Sequence, residues 1–379
     1  MRRSSICLMM LIGSVVALCS ATSGSGVVQG SAMEDSLRKL YSRPVAEWPK
    51  PDVDKGLAFS ELAAMPYDSS WALLDKDGKV KLGQMLFFDP RLSSSSQISC
   101  SSCHDPEISW GDARRVSLGT DHLEGSRNTM SLLNIAARKS FFWDGRSISL
   151  KDQVLNPLST HHEMNMETPV LAKKIGAIEG YRPLFKTAFG SEEVTLDKIL
   201  TAIVAFESII KSRQTRFDEF VRGKYDALSD QEIVGLDLFR GKARCINCHH
   251  GAFFTDEQFH NIGLTYYGRK YEDLGRYKVT GKASDVGRFR TPSLRDVMKS
   301  GPWMHNGLFD NMDGIINIYN SGMHQLDDKA KDKSDTLYPR TDAILRPLKL
   351  TPDEKQAVVA FLGAITATQY KMRRPALPK

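Results

Sequence analysis

Two copies of one five-residue pattern constrain this chain more than anything else in it: Cys100-Ser-Ser-Cys103-His104 and Cys245-Ile-Asn-Cys248-His249. Two thiols three residues apart form thioethers to the vinyl groups of a porphyrin, and the adjacent imidazole supplies an axial nitrogen to its iron. Chance is a poor source of the pattern: about 0.002 matches per chain are expected from the Cys and His content. A zinc knuckle or a dithiol redox site would also use paired cysteines. Neither needs a His directly after the second Cys in both copies. The motifs therefore predict two covalently bound haem c groups.

The start of the chain agrees with that chemistry. Arg2 and Arg3 precede an apolar run from Ile6 to Leu18, followed by small residues from Cys19 to Gly26. This is the pattern of a cleaved secretory signal over residues 1–21, too short for a lasting span. No later run is long and apolar enough to cross a bilayer, so no membrane association is expected after cleavage. Periplasmic localisation follows, and haem c is attached outside the cytoplasm. Cys7 and Cys19 lie in or next to the signal, and the four remaining cysteines all belong to the haem motifs. None is left for a disulfide, although the compartment permits one. The net charge of +6 includes Arg2 and Arg3, and four haem propionates would offset much of the rest. No arginine-rich run points to nucleic acid.

The chain repeats itself around the two motifs. Gly83-Gln-Met-Leu86-Phe87 precedes the first, and Gly235-Leu-Asp-Leu238-Phe239 precedes the second. Arg127-Asn-Thr129-Met-Ser131-Leu132 follows the first, and Arg290-Thr291-Pro-Ser293-Leu294 follows the second. Trp143-Asp-Gly145 has a looser counterpart in Trp303-Met-His-Asn-Gly307. Apolar residues Ile199, Ile203, Phe206 and Ile210 predict a helix from Leu196 to Lys211. Ser229-x-x-Glu232 is a capping box, and Thr351-Pro352-Asp-Glu354 opens a helix to about Ala364. Strand alternation is scarce, and Gly268 to Phe289 reads as loop. The expected fold is mostly α: two cytochrome c-like helical haem domains related by internal duplication, over 34–192 and 193–379. Lys329 to Ser334 is expected to be a charged loop.

The ordered set CxxCH, Arg-Asn-Thr, Phe-Trp-Asp-Gly-Arg, Gln-x-x-x-Pro, Glu-Met, CxxCH, Thr-Pro-Ser-Leu-Arg, Pro-Trp-Met-His-Asn-Gly resembles the bacterial di-haem cytochrome c peroxidase and MauG family from about Leu82 to Leu362. The resemblance implies that Trp143 lies between the haems and assists electron passage. By itself Trp143 reads equally as a core Trp with its N–H satisfied. The resemblance also implies a distal pocket of Gln153, Pro157 and Glu163 at the N-terminal haem. There a carboxylate takes a proton from one oxygen of H2O2 and returns it to the other. By itself Glu163 reads as a surface acid in a polar loop with His161, His162 and Glu167.

Peroxidases of this family often carry a removable His ligand sixteen residues after the first haem His. Here that position is Thr120, with His122 out of register. At the second haem the family's distal Met position, seventeen residues after Pro302, holds Tyr319, as in MauG. A phenolate favours ferric iron. Met323 is close enough in sequence to be the alternative. The resemblance further implies a calcium ion held by the Asn128 side chain and the carbonyls of Ser300 and Pro302.

The leading expectation is a di-haem enzyme that reacts with H2O2 at the N-terminal haem and oxidises a protein partner through the C-terminal one, as MauG does. MauG has a Trp two residues before its second motif; here Ala243 stands there. One alternative is a peroxidase fed by a small cytochrome c. Another is a non-catalytic electron-transfer cytochrome, which needs neither Gln153 nor Glu163.

Overall fold

The computed structural model describes residues 34–325, 335–368 and 372–379. The expected signal over 1–21 and the charged stretch from Lys329 to Ser334 lie outside the described residues. The described chain is mostly helical: α1 over 34–41, α2 (Gly78–Phe88), α3 (Leu150–Ser159), α4 (Thr168–Gly176), α5 (Arg182–Phe189), α6 (Leu196–Glu207), α7 (Arg216–Val221), α8 (Asp230–Arg240), α9 (Tyr277–Thr280), α10 (Met312–Asn320) and α11 (Pro352–Ala364). A two-residue antiparallel ribbon pairs β1 (Phe259–His260) with β2 (Phe289–Arg290).

Two helix crossings organise the molecule, and they are copies of each other. Helix α2 crosses α6, and α8 crosses α11. A Cβ on Gly83 would lie 1.9 Å from the Ala202 carbonyl oxygen and 2.9 Å from the Phe206 Cβ. A Cβ on Gly235 would lie 1.9 Å from the Ala357 carbonyl oxygen and 2.8 Å from the Phe361 Cβ. Only a residue without a side chain allows backbones this close. The repeated glycine is therefore the contact point of each crossing.

The residue four places on from each glycine builds an aromatic triad. Phe87, Trp110 and Phe206 have ring centroids 5.2–6.0 Å apart. Phe239, Phe254 and Phe361 have theirs 5.2–6.2 Å apart. Edge and tilted arrangements at such distances are the favoured ones for aromatic rings. Ser131 Oγ donates to the Ser109 carbonyl at 2.5 Å, and Ser293 Oγ donates to the Phe253 carbonyl at 2.6 Å. Each bond ties the segment after a haem motif to the residue preceding the triad aromatic.

Three sequence expectations are revised. Helix α6 ends at Glu207, not Lys211: the chain tightens to bonds from Ile209 N to Phe206 O and Ile210 N to Glu207 O. Ser212 then accepts a bond from Asn134 Nδ2 at 2.8 Å, which draws the chain away from the helix axis. A division at 192/193 cuts through both cores. Helix α6, beyond that point, packs with α2 in the N-terminal core, whereas Tyr41, Trp48 and Leu62 pack with Phe217, Phe220 and Phe239. Finally, the counterpart of Trp143 is His305, not Trp303. Bridges Phe141–Ser147 and Trp303–Phe309 enclose loops with matching positive φ at Phe142 and Met304 and at Gly145 and Gly307. In that register Trp143 and His305 coincide. The helices predicted from Ser229 and Thr351 begin with capping boxes, and the second ends at Ala364. Among the described residues no helix is long and apolar enough to cross a membrane.

Candidate haem-binding centre

Both Cys-x-x-Cys-His segments form tight turns that open onto one continuous cavity. In the first, His104 N donates to Cys100 O at 3.0 Å; in the second, His249 N donates to Cys245 O at 2.9 Å. Each fold-back brings two thiols and an imidazole to the same wall. His104 Nδ1 lies 2.9 Å from the Trp110 carbonyl, and His249 Nδ1 lies 3.0 Å from the Phe254 carbonyl. A carbonyl only accepts, so Nδ1 carries the proton in both rings. Nε2 is left with a lone pair, the tautomer an axial ligand requires. Burial lowers the pKa of both imidazoles and keeps them neutral.

All four motif cysteines are unpaired thiols. Burial pushes Cys103 up to about 11 and Cys245 up to about 12, so both carry their protons. Two dithiols, two neutral imidazoles and a shared, largely apolar cavity fit two covalently held haem groups. When bound, these would supply redox-active iron.

The halves of this cavity differ. Gln153, from α3, is buried, and its Oε1 has no hydrogen-bond partner. Glu163 follows α3 on a loop and lines the cavity within electrostatic reach of Cys103. Burial raises the Glu163 pKa, against the opposing charges of His162 and Arg146. Thr120, standing where a His ligand was considered, is buried and donates from N and Oγ1 to the Glu163 carbonyl at 2.8 and 2.9 Å. It holds the Glu163 backbone and does not line the cavity. His122 is exposed and does not line the cavity.

In the other half, Tyr319 near the end of α10 lines the cavity close to Cys245 and Cys248. Burial raises its pKa, so the free phenol is protonated. Met323 is buried beyond the helix end, with φ of 62°, and does not line the cavity. Ala243 is buried and offers no ring.

Trp143 and His305 lie between the halves. Trp143 Nε1 donates to the Asn128 carbonyl at 2.9 Å. Its ring meets His305 edge-on at 6.4 Å, and His305 stacks on Phe289 at 3.6 Å. Burial pushes His305 down to about 3, so it is neutral, and its Nε2 has no partner. Ion pairs stitch the halves around this pair. Arg127 reaches Asp144 and Asp273, both at 2.6 Å, and Glu257 holds Arg138 at 2.8 Å and Arg290 at 3.2 Å.

Asn128 and Ser300 line the large cavity together with Pro302, and also border a small adjoining one with Asp112, Thr129 and Gly301. Asn128 Nδ2 donates to the Arg114 carbonyl at 2.9 Å, an orientation that leaves the amide oxygen for a cation.

The sequence reading missed three site residues. His305 lies within the Pro-Trp-Met-His-Asn-Gly motif and carries no local signature as a site residue. Glu207 is a fully buried acid on the wall near Cys100. His260 is gripped between Asp256 at 2.9 Å and Asp342 at 2.8 Å. Burial opposes its charge, yet the bonds to these carboxylates and to Cys248 push it up to about 12. Asp342 is 82 positions away, a pairing no local pattern signals.

A mostly helical chain whose two Cys-x-x-Cys-His turns share one cavity, with an acid and an amide at one turn and a phenol at the other, is a di-haem c-type oxidoreductase. A family model described as di-haem cytochrome c peroxidase matches residues 77–226. The methylamine utilization protein MauG of Methylophilus methylotrophus is 34% identical over 305 residues, spanning 79% of this chain and 86% of that protein. The cytochrome c551 peroxidase of Nitrosomonas europaea is 33% identical over 299 residues, spanning 79% and 83%. A solved MauG-like protein associated with microbial copper homeostasis superposes with a TM-score of 0.68 at 28% identity, over 84% of this chain and 93% of that one. The chain belongs to the di-haem cytochrome c peroxidase and MauG family.

Proposed function

We propose that this protein is a periplasmic enzyme that reacts with H2O2 at the N-terminal haem and oxidises a redox-protein partner through the C-terminal haem. The observation that carries the reading is the unequal cavity: Gln153 and Glu163 stand at the His104 wall, and the Tyr319 phenol stands near Cys245 and Cys248. Glu163 is the general acid and base. Its burial makes a proton easier to hold, which suits a carboxyl that accepts one peroxide proton and delivers it to the departing oxygen. Gln153, with a free buried Oε1, accepts a hydrogen bond from the substrate and orients it. Thr120 fixes the Glu163 backbone. Trp143 and His305 form the aromatic passage between the halves. Asn128 and Ser300 suit a calcium ion at the junction.

Tyr319 as distal ligand favours the MauG-like form, because an anionic oxygen stabilises the oxidised iron. Ala243 favours the second reading, a peroxidase fed by a small cytochrome c, because no ring there carries charge out to a bulky protein substrate. EPR of the diferric holoprotein tests the assignment. One high-spin and one low-spin haem are expected, and Tyr319→Phe should remove the low-spin signal while Met323→Ala leaves it. A low-spin signal unchanged in Tyr319→Phe sinks the tyrosine ligand. Fast turnover of peroxide with reduced cytochrome c, and none with a protein substrate, selects the second reading.

A further inference from the structure

The duplication allows each cavity wall to be compared position by position. Ala202 and Phe206 meet Gly83 as Ala357 and Phe361 meet Gly235. The next residue along α6 is Glu207, and the next along α11 is Leu362; both line the cavity. An acid thus occupies, in the N-terminal half, the place of an aliphatic side chain in the other. Glu207 is 3% exposed, and its Oε2 has no hydrogen-bond partner. A buried polar group left unpaired is costly, and a Leu there carries no such cost.

Among the described residues no charged side chain explains the acid. On α6 itself, Asp197 and Lys198 lie at the far end. Of the helices packed on α6, α2 carries Lys79 over the Phe189 ring and Lys81 on Gln84. Helix α3 carries Asp152 and Lys151, the latter paired with Asp197. Helix α4 carries Lys173 and Lys174, the latter bonded to the Ser93 carbonyl. None bears on Glu207, whose pKa is pushed up to about 8 by burial alone. The titratable neighbour that does feel it is the Cys100 thiol. Haem attachment turns that thiol into an uncharged thioether. Glu163, Arg146 and His162 of the cavity wall interact among themselves.

We infer that Glu207 is the proton-holding group of the N-terminal haem: its carboxylate takes up one proton from solvent when that haem gains one electron, and returns it when the electron leaves. The reason is electrostatic. Adding negative charge to a low-dielectric site raises the cost of a second negative charge beside it, and one proton cancels the difference. Leu362 gives the C-terminal haem no such group. Glu207 is a positioning residue for charge and touches no substrate.

The inference rests on the haem c reading of the cavity and not on the peroxide chemistry. Spectroelectrochemical titration of the holoprotein from about pH 6 to about pH 9 tests it. The N-terminal haem potential should be flat where Glu207 is protonated in both states and, above about pH 8, fall at a slope approaching about 59 mV per unit, one proton per electron. That slope should flatten in Glu207→Gln and persist in Glu207→Asp and in Glu163→Gln. A slope unchanged in Glu207→Gln, or absent from the wild type, overturns the inference. Should Glu207→Gln fail to hold haem, the reduced-minus-oxidised infrared spectrum of the wild type decides. A protonated-carboxyl band that appears on reduction and moves in Glu207→Asp supports the assignment, and the absence of any carboxyl band overturns it. Absence of c-type haem by pyridine haemochromogen would instead remove the underlying haem reading.

Discussion

The two halves of the cavity share a frame and differ in what lines it. Each half has a glycine-mediated helix crossing, an aromatic triad, a Cys-x-x-Cys-His turn and an imidazole fixed through Nδ1. One wall then carries Gln153, Glu163 and Glu207; the other carries Tyr319, Ile316 and Leu362. In both halves the frame brings two thiols and an imidazole fixed through Nδ1 to the cavity. The linings set different proton chemistry. A duplicated fold becomes functionally asymmetric through a few side chains facing the cavity, with the packing behind them unchanged.

The largest expected break in this comparison comes from Glu163→Gln, which removes the acid and keeps the shape. The reaction with peroxide should slow by about 10²–10⁴-fold in stopped-flow mixing. An undiminished rate would leave the polar lining without its assigned purpose.

Making the halves alike should stabilise the fold at high pH. Glu207 rises from 4.5 unfolded to about 8 folded. A raised folded value means its contribution is fully present below about 4.5 and is lost as pH climbs to about 8. Relative to Glu207→Leu, the wild type should therefore lose roughly 3–5 kcal/mol across that window. Urea unfolding at either end of the window measures it, and a difference independent of pH would contradict the buried acid.

The shared frame should break equally on both sides. Gly83→Ala and Gly235→Ala each force a methyl onto a facing carbonyl, and each should cost about 1–3 kcal/mol or more in thermal unfolding. The smallest effects belong to equivalent helix caps. Thr195, which caps α6, and Thr351, which caps α11, should each lose about 1 kcal/mol on replacement by Ala.

Much of the frame was legible in the sequence because its signals are local. A capping box spans four residues, and a haem motif spans five. The two repeated glycines stood out as an echo, although their meaning needed the facing helices. The site was legible only in part. Glu163 and Tyr319 came from matching a family pattern, while Glu207, His260 and His305 had no local signature as site residues. Their environments depend on segments far away in the chain: the Thr120–Glu163 bond spans 43 positions and the His260–Asp342 bond spans 82. The repeat was also read out of register at Trp143, because a matching Trp is more visible than a matching backbone turn. The cross-packing of residues 41–62 on the second core is likewise invisible to periodicity, which shows which face is buried and not against what.

The sequence by itself carried the case for two haem c sites, at Cys100–His104 and Cys245–His249, since two thiols and an imidazole lie within five consecutive residues. It also carried the duplication and the positions of several helix starts. Only the tertiary structure decided which side chains share the cavity with each imidazole. It turned Tyr319 in and left Met323 and His122 out, set Thr120 to hold Glu163, paired Trp143 with His305, and buried Glu207 at the place that Leu362 takes in the other half. The physical reason is that attachment is covalent and local, whereas acidity and ligand access are set by burial and by charges that folding brings from distant segments.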